Sequence, residues 1–218
     1  MLRSLAVLLL LTPFSATAED QPILPLIAHG EMPGWLLRAA SDGVSLTRQL
    51  GDTVTGRLPD AEPIDGGLRF ASPIIGFEVR RELCRDTISG MPYPLTVTLL
   101  APPGGTGCGG APLDLLQGDW QVTEASGAAA PEGALLAAAG RRLSGHGGCN
   151  HFTAALEPSA DGLRIGPVAS TRMACPPERM AFERTFLAAL TRITGFDIAP
   201  DGRLMLTEND SPLIVARR

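Results

Sequence analysis

Two cysteines bracket the stretch that most limits how this chain can fold. It opens R-L-S-G-H-G-G-C-N-H-F from Arg142 and closes S-T-R-M-A-C-P-P-E through Cys175, with a short polar turn containing Gly and Asp in between. Two strands that return past each other place Cys149 against Cys175, making this stretch the covalent and packing centre of a small β-rich domain. Its residue types suit holding a fold together better than they suit any particular reaction.

Four cysteines matter because of where the chain is expected to go. Arg3 supplies a positive charge, Leu5 to Leu11 is a continuous apolar run, and Ala16-Thr17-Ala18 has the small-x-small pattern that precedes a signal-peptidase cut. The apolar run is far shorter than the roughly 20 residues of a membrane-spanning helix, and Pro13 keeps it from extending as one. The expectation is therefore a cleaved signal peptide over 1–18, a periplasmic mature protein and no membrane span after cleavage. In an oxidising compartment four cysteines form two disulfides. Sequence leaves three pairings open; the one chosen is Cys84 with Cys108 and Cys149 with Cys175, since each then closes a loop inside one expected domain. Loops of that size stabilise a fold by about 3 to 4 kcal/mol in the chain-entropy picture.

Charge narrows the partners. Removing residues 1–18 takes away Arg3 alone, leaving 17 basic against 23 acidic side chains and a formal charge of −6. That balance argues against nucleic acid and anionic membrane surfaces. Every basic residue is Arg and none is Lys, which, with the abundant Ala, Gly and Pro, reflects a GC-rich coding bias rather than phosphate recognition.

Along the chain, 19–33 reads as an extended N-terminal segment with three prolines and no clear periodicity. From Gly34 short β-like runs succeed one another, among them Trp35–Leu37, Val44–Thr47, Thr53–Thr55, Leu68–Phe70, Ile75–Val79 and Leu95–Leu100, punctuated by Gly, Pro or Asp. They predict an N-terminal antiparallel β domain over 34–110. Pro103 to Pro112, with five glycines, reads as the domain boundary. A second domain over 113–217 opens with Leu115 to Val122, a strand anchored in the core by Trp120, and 131–140 is ambiguous between helical turn and strand. Arg142–Gly145, Phe152–Leu156 and Gly162–Ile165 read as strands, and Asp201-Gly202 as a hairpin turn within a closing meander. One helix stands out after Pro176 and Pro177: Glu178 complements its dipole, Phe182, Phe186, Leu187 and Leu190 repeat at helical spacing, Met180 adds an apolar contact, and Gly195 is a natural stop. The fold class is α+β, mostly β, as two small antiparallel domains with one helix packed on the second sheet.

Three constellations could carry chemistry. His146, Cys149 and His151 have metal-ligand chemistry at short spacing, but only if Cys149 is a free thiol. Cys149 with His151 could form a nucleophilic pair, yet no third residue orients it. Gly145, Gly147 and Gly148 match no phosphate-loop spacing and instead permit positive φ in a tight turn, which Asn150 and, from the facing segment, Thr171 hydrogen-bond. A fourth stretch, Cys84 to Pro94, presents Asp86, Ser89 and Tyr93 as a possible binding loop, against which stands a pinned connection whose Asp and Ser satisfy local backbone donors. Glu178 and Glu183, five apart, are no carboxylate pair and read as solvated surface.

The second half resembles the META/HslJ family of small bacterial envelope domains. The resemblance rests on Leu116-Gln117-Gly118-Asp119-Trp120, on Ser144 to Phe152 with Gly147, Gly148 and Asn150 around Cys149, on Thr171-Arg172-Met173-Ala174-Cys175, and on Glu183 to Leu190. The first half is similar to a domain found beside META domains, through its C-x-D-x-x-S-G-M-x-Y-P segment and G-C-G-G turn. The resemblance implies a β-rich fold packed on a helix and, in some members, envelope stress, heat-shock induction and novobiocin tolerance; it implies no enzyme activity, cofactor or established ligand. Family members are often lipoproteins, whereas this signal lacks a lipid-acceptor cysteine. The functional expectation is a non-enzymatic binding or stress-related role toward an unknown envelope component. The competing expectations are a metal- or thiol-dependent hydrolase at the His146–His151 turn and an inhibitor of an exported hydrolase.

Overall fold

The computed structural model describes residues 23–32, 34–49, 51–159 and 162–218; the expected signal peptide lies outside them. Two antiparallel sheets and one helix account for most of the regular structure, so the chain is mostly β. The first sheet uses β1 (Leu26–Glu31), β2 (Gly34–Ala40), β3 (Gly43–Arg48), β4 (Thr53–Gly56), β5 (Ala61–Ile64), β6 (Gly67–Phe70) and β7 (Phe77–Arg80). A separate two-strand ladder, β8 (Cys84–Arg85) with β9 (Pro92–Tyr93), precedes β10 (Leu95–Leu99) and β11 (Gly105–Gly109). The order across the sheet is β4-β3-β2-β1-β11-β10-β7-β6-β5. Alternation decides the inward face: Leu26, Ala28, Trp35, Leu37, Val44, Leu46, Phe77, Val79, Val97 and Leu99 form one buried cluster.

Two sequence expectations fail here for the same reason. The segment 19–33 is not merely an extended lead-in, because Leu26–Glu31 is a central strand between β2 and β11. The glycine-rich Pro103–Pro112 is not a linker throughout, because Gly105–Gly109 runs between β1 and β10. Glycine is required in β11: a side chain at Gly107 would overlap the His29 carbonyl, and one at Gly109 would press on Val97, Leu26 and Ala28. Close packing against neighbours distant in sequence, rather than turn formation, explains those glycines.

A 3-10 helix, Pro112–Leu116, leads into the second sheet, so the expected strand from Leu115 begins only at Gly118. Its strands are β12 (Gly118–Ala125), β13 (Ala128–Ala129), β14 (Leu135–Ala139), β15 (Arg142–His146), β16 (His151–Ser159), β17 (Gly162–Ile165) and β18 (Ala169–Ser170). Helix α1 (Pro177–Leu190) and β19 (Gly195–Ile198), β20 (Leu204–Glu208) and β21 (Ser211–Arg217) complete it. The ambiguous 131–140 stretch thus yields a strand, β14. The order β17-β16-β15-β14-β12-β21-β20-β19 curls until its edges meet, where Leu163 N–H donates to the Thr194 carbonyl at 2.9 Å. Phe182, Phe186, Ala189 and Leu190 of α1 join Trp120, Leu136, Phe152, Leu156 and Ile214 in one core. The helix ends at Leu190, with Thr191 as its C-cap, so Gly195 is not its stop; Gly195 opens β19 instead. Met180 faces solvent, because the buried stripe starts at Phe182.

The two halves are joined by more than the chain. Met91, from the turn between β8 and β9, is 7 % exposed and belongs to the core of the second half, where a side chain at Gly162 would meet its sulfur. Arg85 Nε and Nη2 donate to both carboxylate oxygens of Asp197 at 3.1 and 3.2 Å, and Nη2 also reaches the Ile198 carbonyl at 2.9 Å. Truncating a buried Met to Ala costs about 2 to 4 kcal/mol. Met91→Ala is therefore expected to lower the urea midpoint, and mainly that of the second half, although residue 91 is contributed by the first.

Candidate functional site

The polar residues singled out in the sequence gather into two clusters, and each is turned inward on itself. In the second half, Asn150 comes directly after a turn of buried Gly147, Gly148 and Cys149. Its backbone N–H donates to Glu183 Oε1 at 2.6 Å and its Nδ2 to Glu183 Oε2 at 2.7 Å. Its Oδ1 accepts the Thr171 hydroxyl at 2.9 Å and the Met173 backbone N–H at 2.7 Å. The Thr171 hydroxyl also accepts His151 N–H at 3.2 Å, and Arg179 Nη1 caps the Gly148 carbonyl at 3.1 Å. One side chain thus ties the turn, the facing segment and α1 together, beside a Cys149–Cys175 disulfide with Cα atoms 5.9 Å apart. Met173 acts through its backbone, its side chain being exposed.

Glu183 corrects the sequence reading. It is 8 % exposed rather than solvated, because its position on α1 turns it toward the glycine turn. A side chain at Gly147 would come within 3.0 Å of Glu183 Oε1, so glycine there makes room for the carboxylate. Glu178 stays on the exposed side of the helix. The signal for Glu183 was available in its place between Phe182 and Phe186 on the apolar stripe, where a charge without a partner would be costly.

Both cysteine pairs are bonded, Cys84–Cys108 and Cys149–Cys175. Sulfur held in a disulfide supplies neither a thiolate ligand nor a nucleophile. The set His146, Cys149 and His151 is therefore reduced to its two imidazoles, which lie across β15 and β16 from each other.

In the first half, Asp86 is buried and organises the loop of which Ser89 and Tyr93 are part. Its Oδ1 accepts Ser89 N–H and the Ser89 hydroxyl, each at 2.7 Å, and Ile88 N–H at 3.2 Å, while Oδ2 accepts His29 Nε2–H at 2.9 Å. His29, from β1, is not marked in the sequence as a partner of Asp86, because 57 positions separate the two. Burial pushes the Asp86 carboxyl up, but the Ser89 and His29 donors outweigh it and hold the group well below the usual carboxylate range. Burial raises the Tyr93 phenol, and the Asp86 charge adds to that; the Tyr93 ring meets His29 edge-on at 5.1 Å. Ser89 donates to the carboxylate and not to an imidazole, so the trio lacks the nucleophile–base contact of acyl transfer. Its work is to shape the turn that delivers Met91.

A cleft of about 830 Å³ lies open where the halves meet. Ile27, Pro94 and Leu95 come from the first half, and Leu115, Asp119 and Arg218 from the second. Arg218 is held in place, its guanidinium 4.3 Å from the Trp120 ring centre and its Nη2 2.8 Å from the Gln117 carbonyl. Gln117 in turn pins the β14–β15 hairpin, accepting Gly140 N–H at 2.6 Å. Gln117, Gly118 and Asp119 thereby build one wall of the cleft. Nothing in the sequence marks this site, because its residues are ordinary and scattered.

Among known proteins, residues 113–218 match the family model of the META domain. An NMR structure of a protein from Burkholderia xenovorans is 26% identical, covers 48% of this chain and 84% of its own, and has a TM-score of 0.40. No curated protein matches.

The buried clusters carry two expected outcomes. Glu183→Met strands the Asn150 donors and is expected to cost about 3 kcal/mol in urea unfolding. Asp86 is depressed in the folded state, so its contribution is complete above the ordinary Asp range, about pH 4, and is lost as pH falls toward the folded-state value. Asp86→Asn should lower stability at pH 7 by about 1 to 3 kcal/mol and flatten the decline below pH 4, measured as denaturation midpoints across pH.

Proposed function

We propose that this chain, whose C-terminal half is a META domain, is an exported, periplasmic, non-enzymatic binding protein of the bacterial envelope that holds an amphipathic molecule in the cleft between its halves. The observation that carries this reading is the contrast between the cleft and the polar clusters. The nucleophilic pair and the three-ligand His146–Cys149–His151 metal hydrolase at that turn would each need a free Cys149, and that sulfur is bonded to Cys175. The Asp86 and Asn150 clusters direct their hydrogen bonds into the protein. The cleft, by contrast, has the size of small-molecule sites, apolar walls at Ile27, Pro94, Leu95 and Leu115, and charged groups at its rim.

Export and oxidation fit together physically, since two disulfides persist in an oxidising compartment. A role under envelope stress suits a fold braced by two disulfides and by a side chain shared between its halves.

The anionic dye 1-anilinonaphthalene-8-sulfonate is a suitable amphipathic probe. It should bind the native protein 1:1, and Ile27→Glu, which puts a like charge at a position 56 % exposed and lining the cleft, should weaken binding at least about tenfold, equivalent to about 1.4 kcal/mol, without moving the urea midpoint. Equal binding by the variant would remove the cleft from the reading. Iodoacetamide should label no cysteine without reductant; stoichiometric labelling would reopen the thiol enzyme.

A further inference from the structure

We propose that His146 and His151 form a two-imidazole chelate for a borderline divalent transition metal, Cu²⁺ foremost and Zn²⁺ next, on the outer face of the β15–β16 hairpin. The two residues are direct cross-strand partners, and their ring centres lie 5.1 Å apart with planes 78° from parallel. Two imidazoles sharing one tetrahedral cation at about 2.0 to 2.1 Å per nitrogen place their ring centres about 5.2 Å apart, and a square arrangement brings them to about 4.5 Å. The observed spacing falls inside that range before any cation is bound.

The ligands are held in position. The turn between them carries Cys149, bonded to Cys175, and Asn150, clamped to Glu183 and to the facing segment. Both strand ends are therefore fixed, and little ordering is left to oppose binding. By contrast, His29 is tied to Asp86 on another sheet and cannot join the pair. Among the described residues no group of three or more His, Cys, Asp or Glu gathers as a metal cage, so water would fill the other coordination positions. Such a site exchanges its cation and answers to the Irving–Williams order, which favours Cu²⁺. It is independent of the cleft.

Binding has a local consequence. Gly148 N–H donates to His146 Nδ1 at 3.2 Å, so in the neutral ring the proton sits on Nε2. Taking a cation at Nε2 moves that proton to Nδ1 and releases the Gly148 N–H. The metal thereby acts on the glycine turn next to the disulfide. Protons compete for the same lone pairs, so affinity falls as pH falls.

The test uses the oxidised full-length mature protein carrying no affinity tag. Calorimetric titration with CuSO₄ at pH 7.5 is expected to give one Cu²⁺ per chain. His146→Gln and His151→Gln should each weaken it by about tenfold or more, since even supporting partners of a ligand are worth that much, and His29→Gln should leave it unchanged. Zn²⁺ should shift the Gly148 amide resonance in the same protein. No 1:1 binding, or binding that survives both hairpin substitutions, overturns the proposal; unchanged urea midpoints in the two hairpin variants keep misfolding from imitating the expected loss.

Discussion

A largely buried carboxylate sets the terms for the second half of this protein. Glu183 sits on the buried face of α1, and both its oxygens are filled by Asn150, one by the backbone N–H and one by the side-chain amide. A buried charge is tolerated only with such donors, because removing one partner leaves the full desolvation cost behind. The helix can therefore dock in one register only, and the turn that carries Asn150 must hold one shape. Glycine at 147 gives the carboxylate space, and Gly148 at φ +99° lies where a side chain would press on Pro131. The disulfide then fastens the same turn to the segment that supplies Thr171 and Met173. Each part makes sense only with the others present.

The first half meets its own version of the problem with different residues. Asp86 is the buried carboxylate, Ser89 and His29 are its donors, and Cys84–Cys108 fastens the loop to β11. The loop shaped this way delivers Met91 across the boundary into the other core, with Arg85 on Asp197 alongside. An exposed ion pair is worth little by itself, about 0 to 1 kcal/mol, so the apolar packing of Met91, and of Tyr93 beside it, on that core contributes more to the adhesion. Because the halves adhere around this loop, their surfaces part elsewhere, and the cleft lined by Ile27, Leu95 and Leu115 is where they do.

How much of this the sequence discloses depends on the range of the interaction involved. Strands whose partners lie one turn away, such as β2 with β3 or β19 with β20, are marked by alternation and by turn residues like Asp201-Gly202. The cysteine pairings are legible through loop closure. β1 and β11 are hidden although each has a partner one turn away, β2 and β10, because prolines flank the one and the glycines of the other imitate a linker, and the ladder that makes both central spans some eighty positions. Met91 and His29 are hidden for the same reason: nothing near either residue announces the partner. Glu183 was within reach, since a charge in the middle of an aromatic helical stripe demands an internal donor, and Asn150 in the nearby turn can supply two.

Residues dense in chemical potential therefore say less about activity here than their density suggests. A catalytic base or nucleophile needs an unfilled lone pair or a free thiol facing a space that substrate can enter. Asp86, Ser89, Asn150 and Glu183 have their hydrogen bonds directed to protein partners, and the cysteines are cross-linked. Among the described residues, the apolar walls of the cleft and a pair of imidazoles on the outer face of one hairpin do face solvent. The Asn150–Glu183 cluster and its disulfide hold the imidazoles, and Gln117 and Arg218 hold one wall of the cleft, so residues with no reactive role of their own shape both surfaces.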